Sequence, residues 1–176
     1  MTSVQVKEFC ATAQKEMPVI DKLCLNAALQ FTGMRIIRTS NESHTPLSVS
    51  PVFNLCIGVD EMAKSQDGYE MTFAITHLAH FLMAKELLGC MSPNGSIIVP
   101  ASDVRGPESG GGKVGNVAKA DKLQGLESVL AAKDKNAATP ELLIDGSPYD
   151  GDKAYKDAKL CNLVCTDIRM FTSEVF

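Results

Sequence analysis

Tyr155 and Lys159 stand four residues apart in the run Asp-Gly-Asp-Lys-Ala-Tyr-Lys-Asp-Ala-Lys-Leu-Cys-Asn from Asp150 to Asn162. On an α-helix, side chains at i and i+4 share a face, with Cβ atoms roughly 5 to 6 Å apart. A phenol is thereby set beside an ammonium, and a nearby positive charge favours the ionised form of a phenol. Tyr155 is therefore a candidate proton donor with Lys159 as its electrostatic partner. Asp150 and Asp152 lie just before the expected helix, where a carboxylate can accept free backbone N–H groups and meets the positive end of the dipole. Ala154, Ala158, Cys161, Cys165 and Ile168 make an apolar stripe, with Tyr155, Lys159 and Asn162 along its edge. The plainer alternative is a partly exposed helix whose lysines are solvated.

Other candidate groups are weaker. His77 and His80 could be drawn as metal ligands, but no carboxylate or cysteine stands at a convincing spacing, so packed, hydrogen-bonded histidines are expected. Cys161 and Cys165 likewise lack further ligands and read as packing residues. Gly110-Gly111-Gly112-Lys113-Val114-Gly115 matches G-x-G-x-x-G. It stands well beyond the preceding strand, however, and no clear helix opens on it, so a flexible loop is expected rather than a dinucleotide cradle.

The elements that must position these groups follow from periodicity. Val6, Phe9, Cys10 and Ala13 recur at helical spacing over Val4 to Lys15, before Pro18. Val19 to Leu25 reads as a short strand, followed by Asn26-Ala27-Ala28. From Phe31 to Lys64 the pattern breaks up around Pro46 and Pro51, giving loop with one or two short strands in Met34–Ile37 and Val52–Ile57. Asp67-Gly68 then opens a long helix from Tyr69 to Cys90. A turn at Pro93-Asn94-Gly95 leads into a β-branched strand from Ser96 to Val99. Asp103 to Tyr149 is mostly polar, with a weak helical pattern from Lys122 to Lys133.

With 176 residues and 45% hydrophobic content, the chain is long enough for one domain with a real core. A net charge of -4 and no clustered basic face argue against nucleic acid. No run approaches the roughly 18 apolar residues of a membrane span, which leaves peripheral membrane association open. The N-terminal residues show neither a secretory nor a transit pattern. Six dispersed cysteines in apolar contexts suggest buried thiols in a reducing compartment.

The run from Lys153 to Asn162 resembles the tyrosine helix of the light-dependent protochlorophyllide reductases, within the short-chain dehydrogenase/reductase family. The stretch Asp67 to Leu88, containing His77-Leu78-Ala79-His80-Phe81-Leu82, resembles a helix of the same family. The long segment between the strand at Val99 and the tyrosine helix is a further point of likeness. The resemblance implies an α/β fold of incomplete Rossmann-like type, helices packed on a small parallel sheet, as a single partial domain over 1–176. It implies NADPH as cofactor and protochlorophyllide as substrate, with Tyr155 and Lys159 catalytic and cofactor-binding. Asn26, Ala27 and Ala28 would line the adenosine side, and the location would be the chloroplast.

Departures from the pattern are Thr76 where the family has a catalytic asparagine, Ala101 at a substrate-positioning Ser or Thr with Ser102 next, and the long 31–64 segment. A phosphate-binding turn before Val19 and the family's last strands are absent from this chain. A non-catalytic pigment-binding or interaction protein on the same scaffold, or a short-chain reductase for another carbonyl substrate, stays open, as does a homo-oligomer.

Overall fold

The computed structural model describes residues 2–30, 62–121, 124, 125, 127 and 142–167. The expected short strands at Met34–Ile37 and Val52–Ile57 lie outside the described residues. So does most of the weak helix at 122–133, whose described residues Gln124, Gly125 and Glu127 are helical.

Helix α1 spans Ser3–Glu16. It starts one residue before the first apolar position because Thr2 and Gln5 form a capping box, Thr2 Oγ1 accepting from Gln5 N at 3.1 Å and Gln5 Oε1 from Thr2 N at 2.9 Å. Val6, Cys10 and Ala13 turn inward. Strand β1, Ile20–Cys24, follows and pairs in parallel with β2, Met91–Ile98. The register runs from Ile20 opposite Met91 to Lys22 opposite Ser96, so the extra residues of β2 make an irregularity around Pro93-Asn94-Gly95. The expected turn is thus absorbed into a longer strand. Gly95 is needed there because a Cβ would crowd Ser92 O at 3.0 Å and Ile20 O at 3.1 Å.

The helical run expected over 69–90 is three pieces laid end to end. Glu70 caps α2, Met71–Phe73, its buried carboxylate accepting from Thr72 N at 2.9 Å and Phe73 N at 2.7 Å. A π-helical turn, Ala74–Leu78, comes next, then α3, Ala79–Leu87, and a 3-10 turn, Leu88–Cys90. In the π turn the Ala79 N–H reaches the Ala74 carbonyl. Such turns cluster at functional sites.

Two apolar clusters hold the described residues together. Val6, Cys10, Ala13, Ile20, Ala79 and Leu87 pack α1 and α3 against the sheet. Phe73, Ile144, Ala158 and Cys161 pack α2 against α4, Gly151–Asp167. The arrangement is α/β, with helices on a small parallel two-stranded sheet, consistent with part of a Rossmann-like fold. The thiols are less uniformly buried than expected. Cys10 and Cys161 are interior, whereas Cys24 is exposed because β1 shows one face to solvent.

Candidate functional site

Helix α4 carries the predicted pair, and its start is set by Asp150. The Asp150 carboxylate accepts from Lys153 N at 3.0 Å while its carbonyl accepts from Ala154 N at 2.8 Å. Asp152 falls inside the first turn rather than before it, and there accepts from Gln30 Nε2 at 3.2 Å. That bond draws the segment following β1 to the head of α4.

Lys159 is buried, and its ammonium donates to the Pro100 carbonyl at 2.9 Å, two residues beyond β2. The same ammonium lies 5.7 Å from the centroid of the half-buried Tyr155 ring. Burial, with no carboxylate bonded to it, pulls the Lys159 pKa below its ordinary value. Both residues therefore stand at the carboxyl end of β2, where ligands of open α/β sheets bind. Asn26, Ala27 and Ala28 stand at the carboxyl end of β1, after Leu25, whose N–H bonds Ile98 O at 2.9 Å. Asn26 and Ala27 are exposed and Ala28 is half-buried.

The alternative of solvated lysines fails along the first half of α4. Lys153, Lys156 and Lys159 are all buried. Lys153 Nζ bridges Asp157 at 2.6 Å and Asp145 at 3.0 Å, clamping the tight turn around Gly146, whose φ is +83°. Burial outweighs that bridge at Asp157 and pushes its carboxyl up to about 6. Lys156 Nζ donates to two backbone carbonyls, those of Val114 and Asn116.

The glycine-rich stretch is a chain of turns pressed on this helix. Ser109 Oγ donates to Gly106 O and accepts from Gly112 N. A Cβ at Gly112 would overlap the Gly106 carbonyl. What the loop turns toward Lys156 is carbonyl oxygen, the wrong polarity for a phosphate.

Thr76 is wholly buried in the π turn, where its hydroxyl accepts from Leu29 N at 3.2 Å. It ties down the segment after β1 and faces no solvent. Ala101 is exposed, and Ser102 starts the 3-10 turn Asp103–Arg105 without a side-chain capping bond.

Asn162, placed by sequence only at the edge of the stripe, is central. Its Nδ2 donates to Thr76 O at 3.1 Å, and because a carbonyl can only accept, the amide orientation is fixed. Asn162 Oδ1 must then accept from His77 Nδ1 at 2.8 Å, leaving His77 Nε2 to accept from the Cys165 thiol at 3.7 Å. His77 is thus hydrogen-bonded as expected, and burial lowers its pKa. His80 is buried beside it, lowered to about 4 first by burial and then by the Lys159 and His77 charges. Leu25, His77, His80, Phe81, Asn162 and Cys165 border a cavity of about 20 Å³, room for roughly one water. No cluster of three or more metal-ligating side chains occurs among the described residues. Nor is any helix among them long and apolar enough to cross a membrane.

No family model matches the chain. It is 32% identical over 164 residues to protochlorophyllide reductase B, chloroplastic, of Oryza sativa subsp. japonica, covering 90% of this chain and 33% of that protein. It is 35% identical over 108 residues to the Hordeum vulgare reductase B, covering 59% of this chain and 26% of that protein. To the Daucus carota chloroplastic protochlorophyllide reductase it is 28% identical over 163 residues, 90% of this chain and 33% of that protein. Over nine-tenths of its own length, the chain is therefore similar to about one third of these plant protochlorophyllide reductases.

Proposed function

We propose that this chain, read as one partial reductase domain over 1–176, carries the proton-donating part of a light-dependent protochlorophyllide reductase site. The observation supporting this most directly is the placement of Tyr155 and Lys159 on one face of α4 at the carboxyl end of the parallel sheet. Similarity to proteins named as protochlorophyllide reductases supports the substrate class, and their chloroplastic names support a chloroplast location.

The residues present fit part of NADPH. Exposed Asn26 and Ala27, with half-buried Ala28 behind them, offer a ledge for the adenosine side, and the Lys159 ammonium can serve a ribose hydroxyl. No strand among the described residues is followed by a glycine-rich phosphate turn. When bound, NADPH supplies the hydride that reduces one carbon of the pigment's ring double bond. Tyr155 supplies or relays the proton to the neighbouring carbon, and Lys159, on the same face of α4, would hold the nicotinamide ribose beside it. Thr76 does not replace an asparagine in a water relay, since its hydroxyl is spent on Leu29.

The test is illumination of the purified chain with protochlorophyllide and NADPH, following chlorophyllide by absorbance. Tyr155→Phe should slow product formation by about a hundredfold or more, the usual contribution of a positioned acid. Turnover by that variant at the wild-type rate removes Tyr155 from the chemistry. Pigment binding without any light-driven product removes the enzymatic reading, and dark NADPH oxidation with small ketones or aldehydes redirects it to another carbonyl substrate.

A further inference from the structure

We propose that Lys156 is a positioning residue whose buried ammonium latches the 100–119 segment along α4, making that segment a fixed wall beside Tyr155 and Lys159. This rests on the reading of α4 as the proton-donating helix. The attachment points run the length of the segment. Pro100 O accepts from Lys159, and Val114 O and Asn116 O from Lys156. Asn116 Nδ2 donates to Asp150 Oδ2 at 2.7 Å, and Lys119 N to Asp157 Oδ1 at 2.8 Å. The 3-10 turn Asp103–Arg105 also packs on α4.

Lys156 is the strongest of these ties because one buried side chain donates from its ammonium to two carbonyls, and charge-assisted bonds are the strong ones. A burying role alone would need only the methylene stem. The two carbonyl bonds instead set where the backbone of 114–116 must lie. Lys156 is the immediate neighbour of Tyr155, so the same turn of helix that presents the phenol also fixes the wall.

Amide hydrogen exchange on the full chain tests this without reference to turnover. Lys156→Met keeps the stem and removes the donors, and exchange across 110–119 should then rise about tenfold while α1 amides stay unchanged. Lys156→Arg, which can still reach two carbonyls, should restore most of the protection. Unchanged exchange in the Met variant, or a uniform rise shared by Met and Arg variants, overturns the proposal. Should the Met variant fail to fold, amine labelling of the wild-type chain decides. Lys156 must label far more slowly than exposed Lys7, and equal labelling overturns the latch. Loosening of 110–119 together with full turnover by Tyr155→Phe would leave the latch standing and remove the catalytic reading alone.

Discussion

A carbonyl that can only accept fixes a chain of buried side chains. From Thr76 O the direction of every bond through Asn162 and His77 to Cys165 follows, and His77 must be the Nδ1–H tautomer. The two histidines then make the molecule acid-sensitive. His80 is held at about 4 in the fold against 6.5 unfolded, so its contribution to stability is complete above pH 6.5 and is lost as pH falls toward 4. His77, also lowered, acts in the same sense. Asp157, raised from 3.8 to about 6, works against them, favouring the fold below 3.8 and losing that contribution as pH rises through 6. Glu70, also raised by burial, acts in the same sense as Asp157, so the histidine part of the pH slope between 6.5 and 4 is read from urea midpoints of variant against wild type. His80→Gln should remove roughly 3 kcal/mol of that slope. Identical pH dependence of the wild-type and His80→Gln midpoints across this window would show that His80 does not contribute to it. That Tyr155 and Lys159 share one face of α4 was legible from their spacing. Asn162 was not, because an amide at the edge of an apolar stripe looks the same whether it faces solvent or a carbonyl from a helix far away in sequence.

At the scale of elements, α1, β1 and α4 follow their sequence signals closely, since capping residues and apolar spacing act locally. The 71–90 run was legible as helix but not as a helix with a π turn, because its amphipathic pattern barely changes when one hydrogen bond lengthens. A Thr-x-x-Gln box at Thr2 was there to be read, and it explains the first residue of α1. The loop 100–119 was the least legible. Glycine and polar composition promise flexibility, whereas its order comes from ammonium groups on a helix that begins 32 residues after the loop ends. Gly110 and Gly112 separate the two views. Gly112→Ala should cost the loop its shape and the chain at least about 1 kcal/mol, because the new methyl would meet the Gly106 carbonyl. Gly110→Ala, with nothing within 4 Å, should be neutral. Equal thermal melts for the two variants would mean that the turns at 106–116 do not contribute to the fold.

At the scale of the whole molecule, the described residues form two apolar clusters joined by the helical run that passes from α2 through the π turn to α3. The clusters share no residue, so substitutions in one should add to those in the other. Val6→Ala and Cys161→Ala combined should destabilise by the sum of the single effects within about 0.5 kcal/mol in chemical denaturation. A larger discrepancy would mean that the π turn couples them. The parallel sheet was expected from the resemblance and is found, with two strands among the described residues, whose core is carried mostly by helices.

The inward lysines of α4 have a consequence for which changes the chain can absorb. Lys156 and Lys159 bond main-chain oxygens, and every residue type carries one. The segment they hold can therefore be rewritten side chain by side chain without losing its moorings. Substitution is restricted mainly where a methyl group would collide, as at Gly111 and Gly112, or where a side chain is itself a tether, as at Asn116. Side chains along 100–119 can thus diversify on a backbone path that the helix keeps constant.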